Sequence, residues 1–504
     1  MTHELNWKKL QNGSDIRGVA LEGVTGEPIN LSPEVVYRLG QAFGHWLATE
    51  TGKQGEGLRV SVGRDSRISG PRLMQAFMEG LVSLGVKVYD VDMASTPAMF
   101  MSTVTPGFNC DAGVMITASH LPFNRNGLKF FTTQGGLEKG NITAILNLAA
   151  QGAIPLSPKP GTIESMDFIS VYADQLVHFI RTQVQHPIHP LYPLTGLKII
   201  VDGGNGAGGF YATKVLEPLG ADVTGSQFLE PDGLFPNHVP NPEDREAMES
   251  ICQAVLTHQA DFGIIFDTDV DRAAAVDHQG QELNRNRLIA LIAAIVLKEH
   301  PGSTVVTDSI TSDGLTTFIE QELGGRHHRF KRGYKNVINE AIRLNEVGEE
   351  SWLAIETSGH GAMRENYFLD DGAYLVSKLL IELARCRQSG QFLTSCIATL
   401  QHPQESEEIR LQINTEDFQT YGHSVLAALK PFVESQPHWA IAPQNFEGIR
   451  VICSGQQEQG WFLLRLSLHD PVLPLNIESN VQGGVEVIRN QLLGFLDTFK
   501  ELQR

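Results

Sequence analysis

Short apolar runs, each closed by a polar or glycine turn, recur along this chain. They are GLRVSVG (57–63), VKVYDVD (86–92), DAGVMI (111–116), LKIIVDG (197–203), DFGIIFD (261–267), STVVTDS (303–309) and SWLAIET (351–357). Their length and flanking turns predict buried strands. Amphipathic stretches lie between them, among them PEVVYRLGQAFGHWLATE (33–50) and LNRNRLIALIAAIVLKEH (283–300), and these predict helices. Strand–helix alternation predicts α/β layers with active loops at strand ends.

The punctuation predicts four units. A Pro/Gly-rich link, GAIPLSPKPG (152–161), precedes a helical stretch at SMDFISVYADQLVHFI (165–180). AAAVDHQGQELN (273–284) reads as a strand, a turn and the start of a new domain. The polar LQHPQESEEIR (400–410) opens a last segment with strand-like runs and a terminal helix at VEVIRNQLLGFLDTFKEL (485–502). The expected domains are 1–158, 159–278, 279–400 and 401–504. A length of 504 residues gives each unit enough chain for its own core.

Composition narrows the function classes. The hydrophobic fraction is 41% and the charged fraction 19%, as in ordinary globular chains. No apolar run reaches membrane-span length, and the opening MTHELNWKKLQNGSDIRG lacks a leader's apolar core. Cys110, Cys252, Cys386, Cys396 and Cys453 are scattered, with no CxxC pair. That fits a reducing compartment, so a cytoplasmic location is expected. The formal charge of −19 argues against nucleic acid and anionic membrane as partners. An anionic substrate would then need its basic contacts concentrated in one place.

Several motifs sit at predicted strand ends. DTDVDR (267–272) puts Asp267, Asp269 and Asp271 at alternating positions, where only a cation relieves the repulsion. Hard oxygen ligands suit Mg2+ or Ca2+; a solvated acidic turn is the alternative. An EF-hand fails, because Arg272 stands where glycine is required and His278 where the last ligand belongs. VDGGNGAGG (201–209) formally matches a dinucleotide fingerprint, but no acidic residue closes a second strand at the expected spacing, so a tight strand-to-helix turn is favoured. GRDSR (63–67) and SDIRG (14–18) offer Arg64 and Arg17, whose forks suit phosphate. In TASHLPFNRNGLK (117–129), Ser119, His120 and Lys129 form either a nucleophile loop or a plain connection. IETSGHG (355–361) offers Glu356, Ser358 and His360, donors and acceptors suited to sugar hydroxyls. KRGYKNV (331–337) adds Lys335, and RLSLHDP (465–471) adds Arg465, Ser467 and backbone amides.

Together these segments resemble the α-D-phosphohexomutase superfamily, the phosphoglucomutase and phosphomannomutase enzymes, nearly end to end. TASHLPFNRNGLK is similar to the family's phosphoserine loop (TASHNP…NGxK), DTDVDR to its metal loop (DGDxDR), IETSGHG to its sugar loop (GExSGH) and RLSLHDP to its phosphate loop (RxSGTEP). PDGLFPNHVPNP (231–242) matches a further family segment. The resemblance implies three similar mixed α/β domains and a smaller C-terminal α+β domain around a central cleft. It implies a phosphoserine at Ser119, Mg2+ held by Ser119, Asp267, Asp269 and Asp271, and a hexose 1,6-bisphosphate intermediate. Phosphosugars, glucose first, are the implied substrates, bound by a monomer or homodimer. Arg272, Arg17 and His120 would neutralise charge, with Lys129 as general acid/base if burial among cations lowers its pKa, assisted by Arg64. Glu356 and Ser358 would hold sugar hydroxyls, with His360 and Lys335 in support.

The phosphate loop departs most from the family. Where the family has SGTEPxxR, this chain has SLHDPVLP (467–474). Leu468 replaces the glycine, His469 the threonine and Pro474 the arginine. Leu121 and Thr268 are smaller departures in the serine and metal loops. Arg465, Ser467 and His469 remain to grip the distal phosphate. Two lost contacts of about 1.5–3 kcal/mol each weaken retention of a bisphosphate by two orders of magnitude or more. The expectation is therefore a mutase, with a hexose 1,6-bisphosphate synthase or a non-catalytic sugar-phosphate sensor as alternatives.

Overall fold

The computed structural model describes residues 5–152, 154–467 and 470–503. The chain divides into two compact units, one of residues 1–284 and 358–393, the other of residues 285–357 and 394–504.

In the first unit, the predicted strands join others that the sequence pattern did not mark, Asp15–Val19 and Arg125–Thr132 among them, in two sheets. The larger runs, in order, through Asp15–Val19, Arg125–Thr132, Ala112–Ile116, Arg59–Arg64, Lys87–Met93 and Thr162–Ser165. Arg59–Arg64 pairs in parallel with both Ala112–Ile116 and Lys87–Met93, whereas Arg125–Thr132 returns antiparallel beside Ala112–Ile116. Helices Pro33–Thr51, Gly70–Val82 and Lys139–Gln151 contribute apolar residues such as Phe43, Phe77 and Ile145 to a core with Val60, Val114 and Phe130. Ser32 starts the first of these by accepting from Val35 N at 3.3 Å, with Pro33 in the first turn. The edge strand Thr162–Ser165 is exposed throughout and carries no apolar alternation, so the sequence pattern did not mark it.

The second sheet places Phe262–Phe266 between a parallel neighbour, Ile199–Asp202, and an antiparallel one, Ala273–Asp277. Phe262–Phe266 is buried on both faces, which explains its unbroken apolar run. DTDVDR is the loop of the hairpin that joins it to Ala273–Asp277.

In the second unit, Thr304–Thr307 lies between two parallel neighbours, Arg326–Arg329 and Ser351–Ile355. The C-terminal sheet is antiparallel and six-stranded, with Val472–Ser479 between Gly460–Leu464 and Glu405–Ile413. Helices Phe418–Glu434 and Gly484–Leu496 supply Leu429 and Ile488 to its core. Among the described residues, no helix is long and apolar enough to cross a membrane.

Candidate active site

The serine loop follows strand Ala112–Ile116, and Ser119 itself adopts a left-handed conformation, φ 51°. A buried arginine fixes that shape. Arg67, fully buried, donates to the carbonyls of Ser119, Leu121, Pro122 and Arg125, the last three at 2.6, 2.9 and 3.0 Å. Thr117 Oγ1 donates to Asp65 at 2.7 Å and accepts from Ser119 N at 3.0 Å. The Ser119 hydroxyl thereby reaches Asp267 Oδ2, to which it donates at 3.1 Å.

The metal loop is equally constrained. Val270 is fully buried with φ 66°, a strained conformation for a β-branched residue. Asp267, Asp269 and Asp271 are buried, with carboxylate oxygens within 4.8 Å of one another. Burial, reinforced by Asp271 and Asp269, pushes the Asp267 carboxyl well above its usual range. Burial acts on Asp271 too, but Lys129, His360 and Arg272 outweigh it and hold that carboxyl well below. Asp269 Oδ1 and Asp271 Oδ1 are buried without a hydrogen-bond partner. Orphaned hard oxygens beside a hydroxyl are the donor set that Mg2+ takes, so these residues fit a divalent cation. The other Asp269 oxygen, Oδ2, accepts from Thr96 Oγ1 at 2.5 Å.

Arg272 joins the two loops. Its Nε donates to Asp267 Oδ2 at 3.2 Å, and its Nη2 reaches Ser119 Oγ at 3.2 Å and His120 Nδ1 at 2.7 Å. His120 therefore does not serve as the cation expected of it. Burial, with the Arg272 and Arg17 charges, pushes its imidazole down to about 3, so it accepts from Arg272 as a neutral ring. Lys129 likewise sits among carboxylates and not among cations: its Nζ bonds Asp269 Oδ2 at 2.9 Å and Asp271 Oδ2 more closely still. Arg17 lies on the neighbouring strand opposite Gly127, on the same face as Lys129, and pairs with Asp15 at 3.0 Å. Arg64 is not brought to Ser119; it pairs with Asp92 at 2.6 Å and donates to Asp65 O.

The segment IETSGHG divides between the two units after Thr357. In the first unit, Ser358 Oγ is buried and has no partner, as a ligand-facing hydroxyl would. His360 bridges Arg272 through the backbone and bonds Asp370 through Nδ1. Against the effect of burial, Asp370 and Asp271 raise this imidazole to about 9, so it belongs to the metal-loop cluster. In the second unit, Glu356 Oε1 accepts from Gly333 N at 2.6 Å, at the start of helix Tyr334–Glu346, which carries Lys335. Arg465 lies 3.6 Å from Glu447, whose other oxygen accepts from Ser309 Oγ and Arg332 N at 2.6 and 3.0 Å. The Arg465 Nε is buried without a partner. Ser467 Oγ accepts from Asp470 N at 3.3 Å. His469 lies outside the described residues.

Family models for the phosphoglucomutase/phosphomannomutase α/β/α domains I, II and III match residues 8–152, 171–280 and 284–400. A phosphomannomutase/phosphoglucomutase of Pseudomonas putida is 33% identical over 487 residues, 95% of this chain and 96% of the relative. The chain belongs to the phosphoglucomutase/phosphomannomutase family. A phosphoglucomutase of Neisseria gonorrhoeae is 29% identical over 480 residues, 95% of either chain. The crystal structure of a family protein from Burkholderia thailandensis superposes with TM-score 0.78 at 27% identity, covering 99% of this chain and 98% of the other. The architecture is thus the family's three mixed α/β domains with a C-terminal domain built on an antiparallel sheet. As a family member the chain is a phosphotransferase mutase, of a class that in general uses Mg2+ and a phosphoserine.

Arg67, Thr96, Asn241, Asp370 and Glu447 escaped sequence reasoning. Arg67 stood inside the quoted GRDSR, but its partners lie 52–58 residues away, beyond any local signal. Asn241 stood inside PDGLFPNHVPNP, a segment matched by resemblance without a role.

Proposed function

We propose that this chain interconverts hexose 1-phosphate and hexose 6-phosphate, with glucose as the preferred sugar, through a phosphoserine at Ser119 and a hexose 1,6-bisphosphate. The observation that carries this is the convergence of Asp267 Oδ2 and Arg272 Nη2 on Ser119 Oγ, at 3.1 and 3.2 Å. A sugar hydroxyl oxygen attacks the phosphorus, and the P–O bond to Ser119 Oγ breaks as the new P–O bond forms. Lys129 takes the hydroxyl proton only as a neutral amine, released from its contacts with Asp269 and Asp271, and the reverse transfer returns it. Arg272 and Arg17 hold the phosphoryl charge, and Arg67 keeps the serine loop from shifting. Asp267, Asp269, Asp271 and the Ser119 oxygen would hold Mg2+, which would supply charge neutralisation at the transferring group. Ser358 and Glu356 take sugar hydroxyls, with His360 and Lys335 in support, and Arg465, Ser467 and His469 take the distal phosphate. We take the domains as 1–158, 159–278, 279–400 and 401–504, in a cytoplasmic enzyme.

A second reading, a hexose 1,6-bisphosphate synthase, draws support from the phosphate loop. Pro474, where the family has arginine, lies within strand Val472–Ser479, and its carbonyl accepts from Arg465 N at 3.1 Å. One experiment separates the readings. 31P NMR follows glucose 1-phosphate with Mg2+ and a catalytic amount of hexose bisphosphate, then with excess fructose 1,6-bisphosphate. Glucose 6-phosphate with only traces of free bisphosphate is the expected result. Accumulation of glucose 1,6-bisphosphate at the donor's expense makes the chain a synthase. No turnover in either arm, and no phosphopeptide at Ser119, leaves only a sugar-phosphate sensor.

A further inference from the structure

The glycine-rich turn at 202–209 and the segment PDGLFPNHVPNP have no part in the mechanism above, yet the fold packs one against the other. Asp202, fully buried at the end of strand Ile199–Asp202, accepts from His238 Nε2 at 3.1 Å on either oxygen and from Gln227 at 2.7 Å. The His238 ring is held on its other nitrogen by Val239 O at 2.9 Å, the carbonyl that also takes Asn241 N at 2.8 Å. Asn237 Nδ2 donates to Asn205 Oδ1 at 2.7 Å. Gly204 has φ 53°, and a Cβ there would lie 2.9 Å from Pro240 Cβ. The same turn props the metal loop: Ala207 N donates to Thr268 O at 2.8 Å, and a Cβ on Gly206 would meet that oxygen at 2.6 Å. Its glycines thus admit two loops of the chain itself, which is a different use of close backbone approach from cradling a nucleotide.

What this platform presents is Asn241 Oδ1. It accepts from Arg272 Nη1 at 2.9 Å and from Glu243 N at 3.1 Å. Arg272 then has each edge of its fork assigned: Nη1 to Asn241, Nε to Asp267, Nη2 to Asp267, Ser119 Oγ and His120. A guanidinium contacts a phosphoryl group in a useful geometry only if its plane is fixed. Asp267 Oδ2 accepts from Nε and Nη2, both at 3.2 Å, and so holds one edge of the planar group; Asn241 holds the Nη1 end, from which Glu243 stands 3.9 Å away, outside hydrogen-bond range.

We propose that Asn241 is a positioning residue for the phosphoryl-transfer step, and that the 202–209 turn with segment 237–241 is the platform that aims Arg272 at the Ser119 oxygen. This inference rests on the mutase reading given under Proposed function. The test is steady-state kinetics of Asn241→Leu, Asn241→Asp, Arg272→Lys and the double variant Asn241→Leu/Arg272→Lys, with thermal midpoints measured alongside. Asn241→Leu keeps the branched outline and removes the acceptor; its kcat is expected to fall about 30-fold with KM for glucose 1-phosphate nearly unchanged. Asn241→Asp keeps an oxygen acceptor and should recover kcat to within about 5-fold of the parent. In the Arg272→Lys background the leucine should cost less than about 2-fold, because its effect passes through Arg272. Should the leucine variant not fold, Asn241→Ala takes its place. Equal losses in the leucine and aspartate variants, or multiplicative losses in the double variant, overturn the positioning role. If the parent chain shows no mutase turnover, the earlier reading fails, and labelling of Ser119 by a hexose 1,6-bisphosphate, read by phosphopeptide mass, takes the place of kcat; equal labelling rates in the parent and Asn241→Leu then overturn the positioning role.

Discussion

Arg67 is a single side chain on which the serine loop depends. Its guanidinium satisfies four loop carbonyls, and its partner Asp65 is fully buried with it. Burial, against the pull of Arg67, carries the Asp65 carboxyl up to about 6, so the pair persists through a balance of desolvation and contact. Removing one partner strands the other charge. Arg67→Ala is therefore expected to cost about 3–5 kcal/mol in urea unfolding. A loss below about 1 kcal/mol would show that the loop holds its shape without the arginine. At the proposed site a serine, three aspartates and a lysine were legible as a pattern, and the structure brings these side chains together. Their protonation and partners were not legible. Lys129 and His120 acquire their surroundings from loops more than a hundred residues away in sequence, so the letters gave no sign that one sits on carboxylates and the other is neutral.

Two-sided burial marks a strand in the sequence only where the run is apolar: Arg125–Thr132, buried at 126–131, begins RNGLK and read as loop. Phe262–Phe266 and Ala112–Ile116 are buried along their whole length and appear as continuous apolar runs. Thr162–Ser165 carries no such run and escaped notice, because its contribution is backbone pairing at a sheet edge. In the C-terminal sheet, strand Val472–Ser479 brings Glu478 beside a cavity of about 470 Å³ lined also by Asp313, Trp461, His402 and Asn480. Burial raises the Glu478 carboxyl to about 7, although Trp461 Nε1 donates to it at 2.9 Å and Arg450 lies near. The sign of its pH dependence follows. The folded value lies above the unfolded one, so the stability linked to its proton is full below about pH 4.5 and is lost as pH rises through about 7. Glu478→Gln, permanently neutral, should lack that loss. Urea midpoints of the two proteins are expected to diverge between pH 5 and 8, with the parent falling behind by on the order of 1 kcal/mol. Parallel curves across that range would mean that Glu478 ionises as freely as in water.

At the scale of the molecule, family domains and compact units do not coincide. The third family match spans residues 284–400, yet residues 358–393 group with the first unit, while the C-terminal sheet groups with residues 285–357. Within that second unit, one arginine explains the fusion. Arg450, on strand Ile449–Cys453, is buried; it donates to Ser309 O and Thr311 O at 2.9 and 3.1 Å and to Asp313 Oδ1 at 2.9 Å. Its other face lies 3.6 Å over the Trp461 ring. Arg329 meets the same Asp313 oxygen at 2.9 Å, so the junction carries two cations on one carboxylate, with carbonyls and the Thr311 and Thr316 hydroxyls accepting their other bonds. Such a junction is specific and expensive to break, since truncation leaves buried carbonyls without donors. Arg450→Ala is expected to destabilise the unit by about 3–5 kcal/mol. It should also speed amide exchange on both sides of the junction, in Ile449–Cys453 and Gly460–Leu464 as well as in Thr304–Thr307, while Ala112–Ile116 in the other unit serves as the control. Faster exchange confined to the C-terminal strands, with 304–313 as protected as before, would mean that the sheet merely rests on its neighbour and that Arg450 serves its own domain alone.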